Sequence, residues 1–245
     1  GPILAGTVLA LVGPVLCFGL NGLSFIAVII SLYLIRATFK PPKTEESVMM
    51  GMRTGLTFVR ERASIWQLSG MGFITTFCGV PMLTLLPVYA RDIFHLGTTG
   101  YSALMTVSGT GSVIGALMYA GLAKKEGRGK LTLQVQLAMA VVIFTFALSR
   151  NLILSCVALF LGGVCLMTLI ASLSALIQMA IIEEVRGRVM SVFMLAIRGG
   201  MPLGSLIAGA VASQLSPTVA LLGMSSLLGT TALILLISPS PIKKL

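Results

Sequence analysis

Long apolar runs separated by short polar stretches set the pattern of this chain. The runs cover about 1–35, 64–90, 99–123, 131–149, 152–182, 189–213 and 217–238. Each is near or above the ~20 residues that a helix needs to cross the hydrocarbon core of a bilayer. The polar/apolar alternation of membrane strands is absent. The pattern predicts an all-α, polytopic transmembrane helix bundle. The first run is too long for one crossing, since 1.5 Å per residue gives it roughly 50 Å against a core of ~30 Å. Gly13-Pro14 punctuates it, which predicts one helix over 1–13 and another over 14–35. Gly1 stands inside the first apolar stretch with no basic segment before it, so the sequence reads as one truncated span followed by seven complete ones.

Composition sharpens this reading. Charged residues make up 10% of the chain and hydrophobic residues 56%, whereas a soluble domain carries roughly 25% charge. A soluble domain is excluded, and so is a disordered chain, which needs the opposite balance. The net charge of +10 would suggest nucleic acid in a soluble protein, but its distribution says otherwise. Fourteen of the seventeen basic residues lie in alternate loops and at the C-terminal end: Arg36, Lys40, Lys43, Arg53, Arg60, Arg62, Lys124, Lys125, Arg128, Lys130, Arg186, Arg188, Lys243 and Lys244. The opposite loops hold only Arg91 and Arg150. This asymmetry predicts that the basic loops and the C-terminus are cytoplasmic, in a multi-pass protein of the cell (inner) membrane. Cys17, Cys78, Cys156 and Cys165 all lie within apolar runs, without CxxC spacing or a histidine partner. Neither a disulfide framework nor a metal site is expected, and no cofactor is implied.

The loop 36–63 begins as a polar linker, K-P-P-K-T-E-E. Val48, Met52, Leu56, Val59 and Ala63 then recur at spacings of three and four, which predicts an amphipathic helix lying on the cytoplasmic leaflet. Ala5-Gly6 and Pro14 recur as Ala208-Gly209 and Pro217 at a fixed offset, as they would in a transporter of two parallel halves.

Several stretches resemble the major facilitator superfamily of transporters. R-G-R-V-M-S-V-F-M-L-A-I-R-G-G-M-P-L-G-S-L-I-A-G, from Arg186 to Gly209, is similar to the penultimate helix of that superfamily, most of all in the enterobactin-exporter-like and macrolide-efflux-like branch. G-P-I-L-A-G at Gly1–Gly6 resembles the fifth-helix motif of its exporters, with Ala5 in place of a glycine. A-G-L-A-K-K-E-G-R-G-K at Ala120–Lys130 resembles the basic loop between helices eight and nine, here through Gly121, Lys124, Lys125, Gly127, Arg128 and Lys130. Lys124 stands where that motif has an aspartate. L-L-P-V-Y-A-R-D at Leu85–Asp92 looks like the outer end of helix seven. The resemblance implies that 1–35 are the last two helices of an N-terminal bundle. It makes 36–63 a linker and 64–245 a complete C-terminal six-helix bundle. It also implies proton-coupled efflux by alternating access, a small-molecule substrate, a monomer, and a coupling acid on helices upstream of Gly1.

The residues themselves nominate candidates. Arg198 lies ten residues past Arg188, roughly 15 Å deeper and near the bilayer middle. A charge there normally faces a bundle interior or a path; its partner is a carbonyl, an anionic substrate or an acid elsewhere. Ser174 and Gln178 share a helix face with Ser172 nearby, and line a cavity or bond neighbouring helices. Gln134 and Gln136 suit an interface. Pro81 and Pro87 interrupt a span, as an outer gate or a static kink, with Phe77, Met82 and Leu85 beside them as an apolar substrate wall or as lipid-facing residues. Gly111 and Gly115, with Ser108 and Ser112, form small-residue pairs for close packing, as do Gly200 and Gly204 beside Pro202. G-T-G-S-V-I-G at Gly109–Gly115 is not a dinucleotide fingerprint, because no strand precedes it. Glu183, Glu184, Arg186 and Arg188 form a latch at the inner gate or a solvated loop. His95 is a lone surface histidine. The function that the resemblance implies is efflux of a small amphipathic molecule, of drug or siderophore type. The competing reading is a non-transporting scaffold or channel-like bundle. Clustered catalytic side chains within spans, which an enzyme would need, are missing.

Overall fold

The computed structural model describes residues 2–35, 48–122, 127–182, 185–238 and 240–244. Helix α1 runs over Pro2–Leu34 and α2 over Val48–Glu61. Ala63–Ile93 is one span in several pieces: α3 (Ala63–Gly79), α4 (Pro81–Thr84), α5 (Leu86–Val88) and a π-helical turn at Tyr89–Ile93. α6 (Thr98–Leu122), α7 (Arg128–Leu148), α8 (Leu152–Ala180), α9 (Arg186–Gln214) and α10 (Pro217–Ile237) follow, and a 3-10 turn at Pro241–Lys244 comes after α10. Among the described residues, six helical segments are long and apolar enough to cross a membrane, from Ala63–Ile93 to Pro217–Ile237.

The expected break at Gly13-Pro14 does not form, so the truncated and complete spans predicted over 1–35 are a single helix. Pro14 removes only one backbone bond, the one to the Ala10 carbonyl. A loop would leave several groups unpaired, each costing several kcal/mol in hydrocarbon. The match between Pro14 and Pro217 fails at the same place. Pro217 sits in the first turn of α10, where its missing N–H has no helical acceptor to lose. Ser216 caps that turn by accepting from Val219 N at 3.2 Å. Asn151 caps α8 by accepting from Ile153 N and Leu154 N at 2.8 and 3.2 Å.

Proline also explains the broken third segment. Pro81 and Pro87 take helical donors from the Phe77 and Leu83 carbonyls, so the chain restarts twice. The π turn then closes with Phe94 N donating to Tyr89 O at 3.0 Å, and His95, at φ 53°, turns the chain away.

α3 is the hub. It packs on α9, α8 and α10, while α8 and α9 scarcely touch one another. α6 lies along α8, α7 sits between α8 and α10, and α1 rests on α6. Two apolar clusters fill the interior. One surrounds Met82, Tyr89, Phe146 and Leu221. The other surrounds Val59, Leu68, Leu133, Leu173 and Phe193 toward the basic end. Burial of such side chains does not drive association in lipid as it does in water, so close backbone approach matters more. A Cβ on Gly111 would overlap the Phe160 carbonyl oxygen, and one on Gly115 the Val164 carbonyl oxygen. Glycine therefore brings α6 and α8 into direct backbone contact, and Thr168 adds a hydroxyl bond to Gly115 O at 3.2 Å.

α2 is amphipathic, and it docks on the bundle. Val59 is fully buried against the basic-end cluster, and Gly55 brings the helix against the backbone of Arg188 at the start of α9. Leu56, which the periodicity placed on the apolar face, is exposed. Arg62 lies over the Phe58 ring at 4.2 Å.

Candidate translocation face

Helix α9 has two opposed faces. Residues 198 and 200 are about 200° apart around a helix, so Arg198 and Pro202 point away from Gly200 and Gly204. The glycine face meets α3. A Cβ on Gly204 would overlap the Phe77 carbonyl oxygen, the group whose helical donor Pro81 removes. One on Gly200 would overlap Thr76 Oγ1 and stand 2.6 Å from Phe73 O. Thr76, itself buried, donates to Ile197 O at 2.9 Å.

The other face is open. Arg198 and Pro202 are exposed, and among the described residues no hydrogen bond or ion pair engages the Arg198 guanidinium. Arg198 is twelve residues from Arg186 at the start of α9, roughly 18 Å along the axis. A cation at that depth facing hydrocarbon costs at least ~2.5 kcal/mol. The face is thus suited to water, to negative charge or to another protein surface, and poorly suited to lipid. Further along it, Ser205 Oγ and Thr84 Oγ1 form a hydrogen bond of 2.9 Å between α9 and α4. Thr84 and Pro87 are exposed beside it, while Pro81 is buried.

The other predicted wall residues lie elsewhere. Met82 is 2% exposed, with its thioether against Gly162, and Leu85 is 4% exposed; both are core, because the break at Pro81 turns this stretch inward. Phe77 is half-buried and stacks on Phe73 with ring centroids 5.6 Å apart. Ser174 and Gln178 do not act together. Ser174 donates back to Ile170 O at 2.7 Å, and Gln178 Oε1 accepts from Arg186 at 3.1 Å. Of this stripe, the hydroxyl that crosses to another helix is that of Ser172, bonded to Thr132 of α7.

At the basic end, Gly127 takes φ 77°, a left-handed conformation that glycine adopts freely, just before α7. Arg128 reaches the Met179 sulfur at 3.1 Å. Gly121 and Lys130 are exposed and Arg188 is half-buried. Lys124, Lys125, Glu183 and Glu184 lie outside the described residues. Sequence reasoning passed over Gly129, where a Cβ would overlap the Ile242 carbonyl oxygen. It also assigned Gln136 to an interface, whereas that side chain is 0% exposed and bonded to Thr231. The helical wheel held the second signal: Gln136 shares a face with Leu133 and Ala140, both buried.

A family model described as transmembrane secretion effector, of the major facilitator type, matches residues 1–244. The chain belongs to that family, a family of multi-pass membrane transporters. No curated protein and no solved structure shows a significant match to it.

Proposed function

We propose that this member of the transmembrane secretion effector family exports a small amphipathic molecule across the cytoplasmic membrane by alternating access, coupled to the proton gradient. The observation that carries the reading is the open face of α9, where Arg198 stands in mid-span without a partner among the described residues. In this reading the face lines the path, and the guanidinium meets negative charge on the substrate or on a second helical bundle. The basic end faces the cytoplasm in this reading, which the bias of the loop charges supports. The proline-broken segment α3–α5 forms the gate at the opposite end. The Gly200–Gly204 contact keeps α3 and α9 moving as one body. None of the seven acids falls within an apolar run of the sequence, so the coupling acid is assigned to another part of the transporter.

The test is cysteine accessibility in membrane vesicles, with Cys17, Cys78, Cys156 and Cys165 replaced by serine. Thr84→Cys reports on the gate end and Gln178→Cys on the basic end. Imposing a proton gradient, with a panel of amphipathic drugs and siderophores, is expected to raise labelling at one position and lower it at the other. Unchanged labelling at both positions under every condition would instead indicate a scaffold. A simultaneous rise at both would indicate a channel.

A further inference from the structure

A groove of about 280 Å³ opens between α3, α7 and α10, lined by Trp66, Gly70, Met71, Gln136, Thr231 and Ile234 among others. Its walls are almost wholly apolar, and Trp66 and Ile234 stand exposed at its rim, 54% and 61%. It belongs to a different side of α3 from the α9 contact, because Gly70 and Ile74 lie about 200° around the helix from Gly72 and Thr76. Its polar lining side chains are Thr231, Gln67, which accepts from Ser240 at 2.7 Å, and Gln136, which is 0% exposed. The Gln136 amide presents Nε2 to the Thr231 hydroxyl at 3.3 Å, and that hydroxyl gives its own hydrogen to Leu228 O at 2.9 Å. Oε1 is then a buried acceptor with no partner among the described residues. Buried side-chain carbonyls are rarely left unpaired, and each exception calls for a reason.

We propose that this groove binds a neutral, single-chain amphiphile from the surrounding membrane, one carrying a single hydroxyl or N–H donor. The volume lies just below the usual range of ligand sites, which suits one chain. The apolar walls take the chain. The orphan acceptor selects a donor head over a head that only accepts. A charged head finds no counter-charge among the lining residues. Oε1 is sealed from solvent, so binding includes a shift of the lining side chains, of which Met71 is the most flexible.

Trp66 is the only tryptophan in the chain and reports on its own site. The experiment titrates the whole chain in detergent micelles with 11-bromo-1-undecanol and with its methyl ether, reading quenching of Trp66 by bromine. Trp66→Phe removes the signal and supplies the blank. The alcohol is expected to quench saturably and to bind at least fivefold more tightly than the ether. Gln136→Leu, a swap of similar volume, is expected to abolish that preference. Gly70→Leu is expected to abolish saturable quenching by filling the groove, since a Cβ on Gly70 meets nothing within 4 Å. Arg198→Gln is expected to leave all of this unchanged. Equal affinity for alcohol and ether, or quenching indifferent to Gly70→Leu, would overturn the proposal, because partition into the micelle explains both. Loss of binding in Arg198→Gln would overturn it too, by moving the ligand to the transport face.

Discussion

The Thr76 hydroxyl stands between two helices, 2.9 Å from the Ile197 carbonyl of α9 and 3.1 Å from the Gly72 and Phe73 carbonyls of its own helix. One hydrogen is shared among three acceptors, so the interhelical bond replaces an intrahelical one at little expense. Double-mutant measurements put such bonds in membranes near ~0.6 kcal/mol. Thr76→Val is therefore expected to lower the unfolding free energy in detergent by less than ~1 kcal/mol. A loss several times larger would mean that the hydroxyl organises the contact.

The glycines on the facing helix should matter more. Any side chain at Gly204 runs into the Phe77 carbonyl, a backbone atom that cannot swing aside. Overpacking of this kind costs typically 1–3 kcal/mol. Gly204→Ala is expected to destabilise by that amount, and Gly200→Ala similarly. Gly199→Ala, whose Cβ would meet nothing within 4 Å, is expected to be neutral or to stabilise by up to ~1 kcal/mol through helix entropy. Thermal unfolding of the three variants in one detergent separates contact from propensity; equal effects at 199 and 204 would remove the contact from the account.

Arg198 makes the opposite prediction. Its side chain is exposed, and no hydrogen bond or ion pair holds it among the described residues. Arg198→Gln should shift stability by no more than ~0.5 kcal/mol, yet lower transport by tenfold or more once a transported compound is in hand. Arg198→Lys keeps the charge but loses the planar fork, and is expected to fall between the two. A strongly destabilised Arg198→Gln would show that the guanidinium holds the fold together.

What the sequence made legible was set by length and repetition. Spans beyond Ala63 stand within a few residues of their predicted bounds, because apolar length is a direct requirement of the bilayer and the turns between them carry glycine, proline or charge. The Gly13-Pro14 break was misread because a proline in lipid has two outcomes, and the balance depends on what the freed groups would otherwise face. Met82 and Leu85 were misplaced for a geometric reason. They were nominated for standing beside Pro81 and Pro87, and nearness along the chain does not say which side of the span meets the core. Gly129 was invisible because its partner, Ile242, is over a hundred residues away and no local pattern announces a docked tail. Tyr89 was hidden in a similar way, since its partners Phe146 and Ala147 belong to another helix.

Tyr89 lies fully buried, with its ring 4.7 Å from that of Phe146 and its hydroxyl donating to Ala147 O at 3.3 Å. The ring and the hydroxyl make separable contributions. Tyr89→Phe removes one long bond and is expected to cost ~0.5–1.5 kcal/mol. Tyr89→Ala removes the ring that fills the space under the π turn, at ~3–5 kcal/mol. Equal losses in chemical unfolding would assign the whole effect to the hydroxyl.

The C-terminal turn is held from three directions. Ser240 Oγ donates to Gln67 Oε1 at 2.7 Å, Lys243 Nζ donates to the Leu236 and Ser238 carbonyls at the end of α10, and Ile242 is fully buried against α7. The lysine satisfies carbonyls that a helix C-terminus leaves open. Gly129 is what lets the turn approach α7 so closely. A methyl group there cannot coexist with the Ile242 carbonyl, so the turn must lift in Gly129→Ala even though the helix itself gains propensity. In a background whose native cysteines are replaced by serine, Ile242→Cys should react slowly with a water-soluble maleimide, and at least tenfold faster once Gly129→Ala is added. Gly121→Ala, with open space around its Cβ, should leave the rate alone. If Gly129→Ala also leaves it alone, the close approach at Gly129 does not hold the tail, and the Ser240 and Lys243 bonds must suffice.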